Sequence, residues 1–598
     1  MRQSSPCLVV FSRFRTMRPV STLGSLRFAF TLVATVLCLH SGPAEASGLR
    51  GWPTGVRKIQ PQATHAAPSL IRQLKTAPQG NRPSGLPTDI GNIRWADRFP
   101  GNDLGAQINA ADSDLGREAG EIRVGRSGTV ETQVNLSSNH VLHLLAATTW
   151  KAGIVVQNGN LVVGDGCASL ITLNLPSPGP FVSGKNVYNL KASDLCAEAP
   201  SQSPGSVLVR VDGAREVEVT GCHTNNLRLS ELNSSAEIKL IGNTAVSSRN
   251  DAASGAAVNI TFTDVVVASD NFIQGFIHGF QWWGGDANPK TGQGAVTNRR
   301  GVHDLSFIGN KITDVGGAGI WGGMGEGIVA SSNIIETCGD VCLDSEGNNS
   351  VVFSNNYVKD GANGAISTFF YNRDVLITGN TVVSSSWDKP LLRTYTPGQT
   401  APYDRDTQVV GNHFTCLDTS PCFISSTTGL PERFVFRDNT LRNVTLFLSD
   451  ANPKHIVVIS DNDFLFDVPA TRVQGAIWAG RTYSLSPGDP GYCDISNNTV
   501  RSNVEQPPGS AAIYVYQDDP QIAPFTIVQG NRLVGLHPFP VDISVEGGSK
   551  NPSVTPVFLV RNNLMGAGVF SWRDQASPRS TVKLEGNYRM DSSPIPGQ

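Results

Sequence analysis

The sequence predicts an all-β solenoid. Three observations carry that prediction: a recurring asparagine, the interval at which it recurs, and the β-branched residues that precede it. The asparagine closes LIGN at Asn243, ASDN at Asn271, FIGN at Asn310, ASSN at Asn333, FSNN at Asn356, ITGN at Asn380 and VVGN at Asn412. It returns in FRDN at Asn439, ISDN at Asn462, ISNN at Asn498, VQGN at Asn531, VRNN at Asn563 and LEGN at Asn587. The shortest intervals are 23 and 24 residues, and the longer ones, from 27 to 39, read as one rung plus an inserted loop. A period in the low twenties with a polar turn residue in fixed register marks stacked structural repeats. Each rung buries its apolar side only against the next, so the rungs share one continuous core. Stacked asparagines can also hydrogen-bond from rung to rung.

This pattern resembles the right-handed parallel β-helix of the pectate-lyase-like superfamily, over roughly residues 90 to 595. The segment GNDLGAQINAA, from Gly101 to Ala111, is similar to the capping helix that opens many such proteins, and GEIRVGRSGTVETQVNL after it resembles their first rung. The resemblance implies a single-stranded right-handed parallel β-helix with an N-terminal capping helix, occupying residues 91–598 as a catalytic domain. The superfamily includes pectate lyases, polygalacturonases, alginate-modifying enzymes, fructan-cleaving transferases and phage tailspikes, so fold alone decides no reaction.

A solenoid can spend all 598 residues on one domain. Net charge of −3 and a pI near 6.4 leave no basic stripe for nucleic acid. The 16% charged residues and 61 glycines suit a turn-rich β protein. At the amino terminus, Arg18 and Arg27 are followed by an apolar run from Phe28 to Leu39 and by Ala44-Glu45-Ala46. That three-part pattern reads as an export signal over residues 1–46, with Met17 as the expected start. The run is too short to span a bilayer. Prolines at 53, 61, 68, 78, 83 and 87 make residues 47–90 an extended spacer. The expected location is secreted or periplasmic.

Cleavage after Ala46 leaves eight cysteines, and an even count in an exported protein favours disulfides. Cys338 with Cys342 and Cys416 with Cys422 are the expected local pairs, and Cys196 with Cys222 is expected to bridge adjacent rungs. The histidines do not fall at the spacing that zinc requires.

Strand side chains alternate, and residues at equal offsets from successive ladder asparagines stack about 4.8 Å apart. Ten residues on, Ile320, Leu343 and Ile366 point inward. Trp321, Asp344 and Ser367 then point outward, Gly322, Ser345 and Thr368 inward, and Gly323, Glu346 and Phe369 outward. Shifts of one or two residues extend the outer face to Gln281 and Trp283 upstream and to Arg393 and Tyr395 downstream. Asp450, Trp478, Tyr514 and Tyr516 continue it, whereas the alternation points His278 inward. Outward aromatic rings are costly unless something covers them. Aromatic faces stack on sugars, while carboxylates and Arg meet hydroxyls or uronates. Gln281, Trp283, Trp321, Phe369, Tyr371 and Tyr395 are therefore candidate substrate-binding residues in a groove for a linear polysaccharide.

The chemistry centres on GDVCLDSEG. Asp344 and Glu346 lie two apart on one face, which places their carboxyls roughly 5.5 to 7.5 Å apart, overlapping the acid and base spacings of glycosidases. One carboxyl, raised by its neighbour and by Trp321, can protonate a leaving oxygen while the other activates water or attacks the anomeric carbon. A hydrolase of this kind needs no cofactor. The alternative is a lyase in which Asp340, Asp344 and Glu346 hold Ca²⁺ against a uronate, with Arg393 or Lys389 as base or enolate stabiliser and Tyr371 transferring a proton. Asp344-Ser345-Glu346-Gly347 resembles the metal-binding strand of pectate lyases but lacks the basic residue at the two positions after Asp344. Asp340-Val341-Cys342 resembles the Asp-Asp-Cys of polygalacturonases with the second Asp missing, and their Gly-His-Gly reads Ala362-Asn363-Gly364. Neither resemblance names a substrate. The leading expectation is an exported polysaccharide-degrading hydrolase with Asp344, Glu346 and Arg393 as catalytic residues. Behind it stand the lyase and a non-catalytic glycan-binding or adhesive β-helix. Asp286 and Glu326 are the reserve acids of the same groove.

Overall fold

A computed structural model describes residues 92–594 except 201–204, 286–300, 371, 396–405, 427–430, 449–455, 471–474, 481–491, 519–524, 549–554, 556, 575–580 and 591–592. The export signal and the spacer lie outside the described residues, as do Asp286, Tyr371 and Asp450.

One α-helix, α1 (Leu104–Leu115), opens the body. Asp103 caps it by accepting from the Gly105 and Ala106 N–H groups, and the same carboxylate accepts from Glu131 and Thr132, which ties the helix to the first coil. Leu104, Ile108, Ala111 and Leu115 recur at helical spacing and are buried, so the helix closes the amino-terminal end of the core.

Beyond α1 the described residues are strand and turn. A representative coil consists of Val341–Glu346, Asn349–Ser354 and Tyr357–Gly361. Each strand pairs in parallel with its counterpart one coil later: Leu343 with Ile366, Val351 with Val375, Val358 with Val382. Three parallel ladders thus run along the molecule, and Leu343, Val351, Phe353 and Val358 are fully buried between them. The chain is a parallel β-helix.

The asparagines form an unbroken chain from Asn243 to Asn587. Each Oδ1 accepts both the backbone N–H and the Nδ2–H of the asparagine one coil earlier, at 2.9 to 3.1 Å. The second Nδ2 hydrogen goes to a strand carbonyl of the previous coil, as from Asn356 to Ala330 at 2.9 Å. The residue before every ladder asparagine has positive φ: Gly242, Asp270, Gly309, Ser332, Asn355, Gly379, Gly411, Asp438, Asp461, Asn497, Gly530, Asn562 and Gly586. That conformation admits Gly, Asn and Asp at low cost, which accounts for the letter preceding the asparagine in most of these motifs.

Cys338–Cys342 and Cys416–Cys422 are disulfides, as expected, but the bridge between adjacent coils is Cys167–Cys196 rather than Cys196–Cys222. Cys222 is free and buried. It follows Gly221, which has φ 63°, and its N–H donates to Asn243 Oδ1, so it holds the ladder position one coil before the first asparagine. Its side chain is turned into the core and its sulfur lies 3.7 Å from the Ala192 carbonyl oxygen. Cys493 is likewise free and buried. Among the described residues no helix is long and apolar enough to cross a membrane.

Replacing Asn356 with Ala strands two Asn333 donors inside the core and removes the Nδ2 bond to Ala330 O, while the backbone N–H at 356 still reaches Asn380 Oδ1. The expected loss is about 3 kcal/mol in urea unfolding, from buried groups worth about 1–3 kcal/mol each, while Thr381→Ala on the exposed surface stays near parental. A loss below about 1 kcal/mol for Asn356→Ala would show that the ladder decorates the fold rather than holding it.

Candidate functional site

Five strands of one ladder build the site: β1 (His278–Trp283), β2 (Ile320–Gly323), β3 (Val341–Glu346), β4 (Gly364–Phe369) and β5 (Leu392–Tyr395). The register places Phe280, Ile320, Leu343, Ile366 and Leu392 in one inward column. Gln281, Trp321, Asp344, Ser367 and Arg393 form one outward column, and Trp283, Gly323, Glu346 and Phe369 form the other, with Tyr395 next in backbone register. The structure therefore aligns Gln281, Trp283, Trp321, Asp344, Glu346, Phe369 and Arg393 on one face.

Behind this face stands a second, short asparagine ladder that sequence reasoning missed. Asn348 N–H donates to Asn372 Oδ1 at 3.0 Å, Ser345 Oγ donates to the same oxygen at 2.6 Å, and Asn348 Nδ2 donates to Gly322 O at 2.8 Å. Trp282 Nε1 donates to Asn348 Oδ1 at 3.2 Å. Gly322 makes room for that indole, because a Cβ there would lie 2.2 Å from it. The signal was an asparagine in the turn after each of β3 and β4, hidden by the stronger ladder nearby. Its effect is to fix the backbone of β2 to β4 from inside.

Asp344 is outward by register yet only 2% exposed, and its Oδ1 is enclosed with no hydrogen-bond partner. Burial, then the charges of Glu346 and Asp340, hold its carboxyl well above the usual carboxylate range. Glu346 is half-buried and pushed up to about 7, first by burial and further by Asp340, while a hydrogen bond from the Trp321 side chain opposes the rise. Asp340 itself is exposed in the turn before β3. The result is two adjacent carboxyls that resist carrying two charges at neutral pH.

His278 corrects an expectation. Its ring is not turned into the core but lies 4.9 Å from the Trp321 ring, because Gly279 and Phe280 are buried consecutively and break the alternation at the start of β1. His278 Nδ1 accepts the Ala318 N–H at 2.9 Å, and burial lowers its pKa to about 4 against the opposing charge of Asp340. It is a neutral imidazole backing the tryptophan.

Trp283 donates from Nε1 to Gly285 O at 3.0 Å and packs over Gly323, where a Cβ would lie 2.7 Å from its ring. The Arg393 guanidinium sits 5.8 Å from the Phe369 ring centroid and donates to both oxygens of Asn363. Gln281 is partly exposed beside Trp321, and Lys389 precedes β5. Glu326 does not belong to this groove. The chain turns at Met324, with φ 61°, and Glu326 pairs with His303 and Asn349 on the neighbouring ladder. Farther along the groove, Trp478, Tyr514 and Tyr516 continue the outward face.

The Ca²⁺ route requires Asp340, Asp344 and Glu346 to converge. Among the described residues no group of three or more His, Cys, Asp or Glu side chains is arranged to hold a metal ion.

No family model matches the chain, and no curated protein matches it. Solved structures do. One is a double mutant of the tailspike protein of E. coli bacteriophage HK620 in complex with a pentasaccharide, with 10% identity, a TM-score of 0.41, and 70% of this chain and 76% of that one covered. A point mutant of the same tailspike with pentasaccharide has 11% identity and a TM-score of 0.42 over 70% of this chain and 76% of that one. A deletion-carrying mutant with a hexasaccharide has 9% identity and a TM-score of 0.40 over 80% and 77%.

Two outcomes follow. The indole N–H stabilises the Glu346 carboxylate, so Trp321→Phe moves the titration of Glu346 above its value of about 7; ¹³C-carboxyl NMR reads this, and a downward shift would refute the bond. Both acids have raised folded-state values, so the proton's stabilisation is full below the ordinary carboxylate range and is lost as pH rises through about 7 for Glu346. Glu346→Gln and Asp344→Asn should therefore stabilise the protein at pH 8, on the order of 1–3 kcal/mol, with the gain fading by pH 4. Equal or lower stability at pH 8 would show that neither carboxylate is under strain.

Proposed function

We propose that the protein is an exported enzyme that hydrolyses glycosidic bonds in a polysaccharide lying along the outward face of β1 to β5. The observation that carries this reading is the enclosed Asp344 carboxyl, without a hydrogen-bond partner at Oδ1, beside a second raised carboxyl at Glu346. A buried, unpaired carboxylate is unstable as an ion, so Asp344 holds its proton well above the usual carboxylate range. Glu346, which receives the indole hydrogen bond, ionises above about 7. The pair thus divides into an acid and a base by environment alone.

In the proposed reaction, Asp344 gives its proton to the leaving glycosidic oxygen as the bond to the anomeric carbon breaks. Glu346 either removes a proton from the attacking water or bonds to that carbon itself until water displaces it. Water supplies OH to the anomeric carbon, and its remaining proton restores the pair. Trp321 and Phe369 offer ring faces to the sugars on either side of the acids, and no metal is needed for these steps. Three disulfides suit an oxidising compartment, in keeping with the export signal.

The test is incubation with xylan, dextran, alginate, polygalacturonate and bacterial exopolysaccharides. New reducing ends without unsaturated uronate support hydrolysis. An unsaturated product supports the lyase, and binding without products from any glycan supports an adhesive role. On the cleaved polymer, Asp344→Asn and Glu346→Gln should each lower turnover by roughly 10² to 10⁴ with binding retained. Full activity in both variants would remove β3 from the mechanism.

A further inference from the structure

The outward column that carries Trp321 and Asp344 continues past Arg393 to Ser425, Phe447, Trp478, Tyr514 and Ser544, one residue per coil. The neighbouring column of Leu446, Ile477 and Ile513 is fully buried, so the aromatic residues leave the strands on the other side, where Phe447 and Trp478 are partly exposed and Tyr514 is 8% exposed. Phe447 and Trp478 have ring centroids 4.3 Å apart, and Trp478 and Tyr514 5.4 Å apart. Tyr514 donates its hydroxyl hydrogen to the Glu546 carboxylate, and Tyr516 stacks 6.4 Å from Tyr514. The Trp478 Nε1 is enclosed and has no acceptor, a donor left for a ligand oxygen to complete. Between this cluster and the acids the column holds only Ser367, Arg393 and Ser425.

We propose that Phe447, Trp478 and Tyr514 form a second carbohydrate platform, which binds the same polysaccharide chain whose cleavage at Asp344 and Glu346 is proposed above. Trp478 stands five coils from Asp344, about 24 Å at the spacing of paired strands. One chain must therefore extend at least that far to use both stations, and the enzyme acts within long polymers rather than on short oligosaccharides. Continuity with the acid site selects this occupant. The partly exposed rings of Phe447 and Trp478, set edge to face and bordered by Tyr514, a carboxylate and an unsatisfied N–H, match the apolar face and hydroxyl rim of a sugar. An apolar protein or lipid partner would leave the Trp478 N–H unanswered. The inference rests on the hydrolase reading for the identity of the chain, but not for the existence of the platform.

The experiment is affinity electrophoresis of the full chain through gels containing xylan, dextran, alginate, polygalacturonate or bacterial exopolysaccharide, with melting temperatures recorded alongside. One polysaccharide is expected to retard the parent and Asp344→Asn alike, and Trp478→Ala should bind it roughly tenfold more weakly. Fragments of that polymer shorter than about 24 Å should bind the parent more weakly than the polymer does, because they reach only one station at a time. Should Trp478→Ala fail to fold, Trp478→Phe decides: weaker polymer binding at an unchanged melting temperature supports the platform, and parental binding overturns it. Retardation that depends on Trp478 without depolymerisation sinks the cleavage reading and leaves the platform standing. Cleavage whose length dependence ignores Trp478 overturns the platform and leaves the hydrolase. Neither retardation nor cleavage on any of these polymers overturns both.

Discussion

The molecule depends on one repeated interaction, an asparagine side chain that accepts two hydrogens from the coil before it and gives its own to two coils. A parallel coil must turn its backbone through buried corners, where unsatisfied polar groups are costly. The ladder satisfies the turn from inside, without water, at the same point in thirteen successive coils. Because every link is made to the adjacent coil, the register of one coil is inherited by the next. The groove is a downstream result of that inheritance. Trp321, Asp344 and Ser367 share a column because the corners behind them are locked in phase.

The site spends some of the stability the ladder supplies. Asp344 sits enclosed with an orphaned oxygen, next to a second acid and near a third. Such an arrangement persists only where the surrounding scaffold is rigid, and here the scaffold is doubled. The long ladder fixes the corner after the second strand of each coil, and Asn348 with Asn372 fixes the corner beside the acids. His278 backs Trp321, and Trp321 in turn steadies the charge on Glu346.

The fold was legible in the sequence because its cause is periodic. An asparagine behind a left-handed residue repeats often enough to be counted, and alternation from that point assigned Trp321, Asp344, Glu346 and Phe369 to the outer face as observed. What stayed hidden was local or three-dimensional. The alternation failed at His278, where two consecutive residues turn inward. It failed for Cys222 because the repeat was counted by asparagine, and a cysteine in the same corner went unrecognised. The enclosure of Asp344 was not readable at all, since a register says which way a side chain leaves the strand but not what closes over it.

The extra residues that lengthen some coils are not scattered. The three longest insertions fall between Trp283 and Val302, Tyr395 and Asp406, and Ala479 and Tyr492, each directly after a groove strand, while shorter ones, as between Val246 and Ala256, lie at another corner. The asparagine contacts across those coils keep the same lengths as elsewhere, whether the partners are 39 or 23 residues apart. Lengthening a loop at that edge costs a closure entropy that grows only logarithmically, and it propagates no phase error. Such a chain can be re-tailored along its working rim by insertion and deletion, coil by coil, while its internal spine remains the same part.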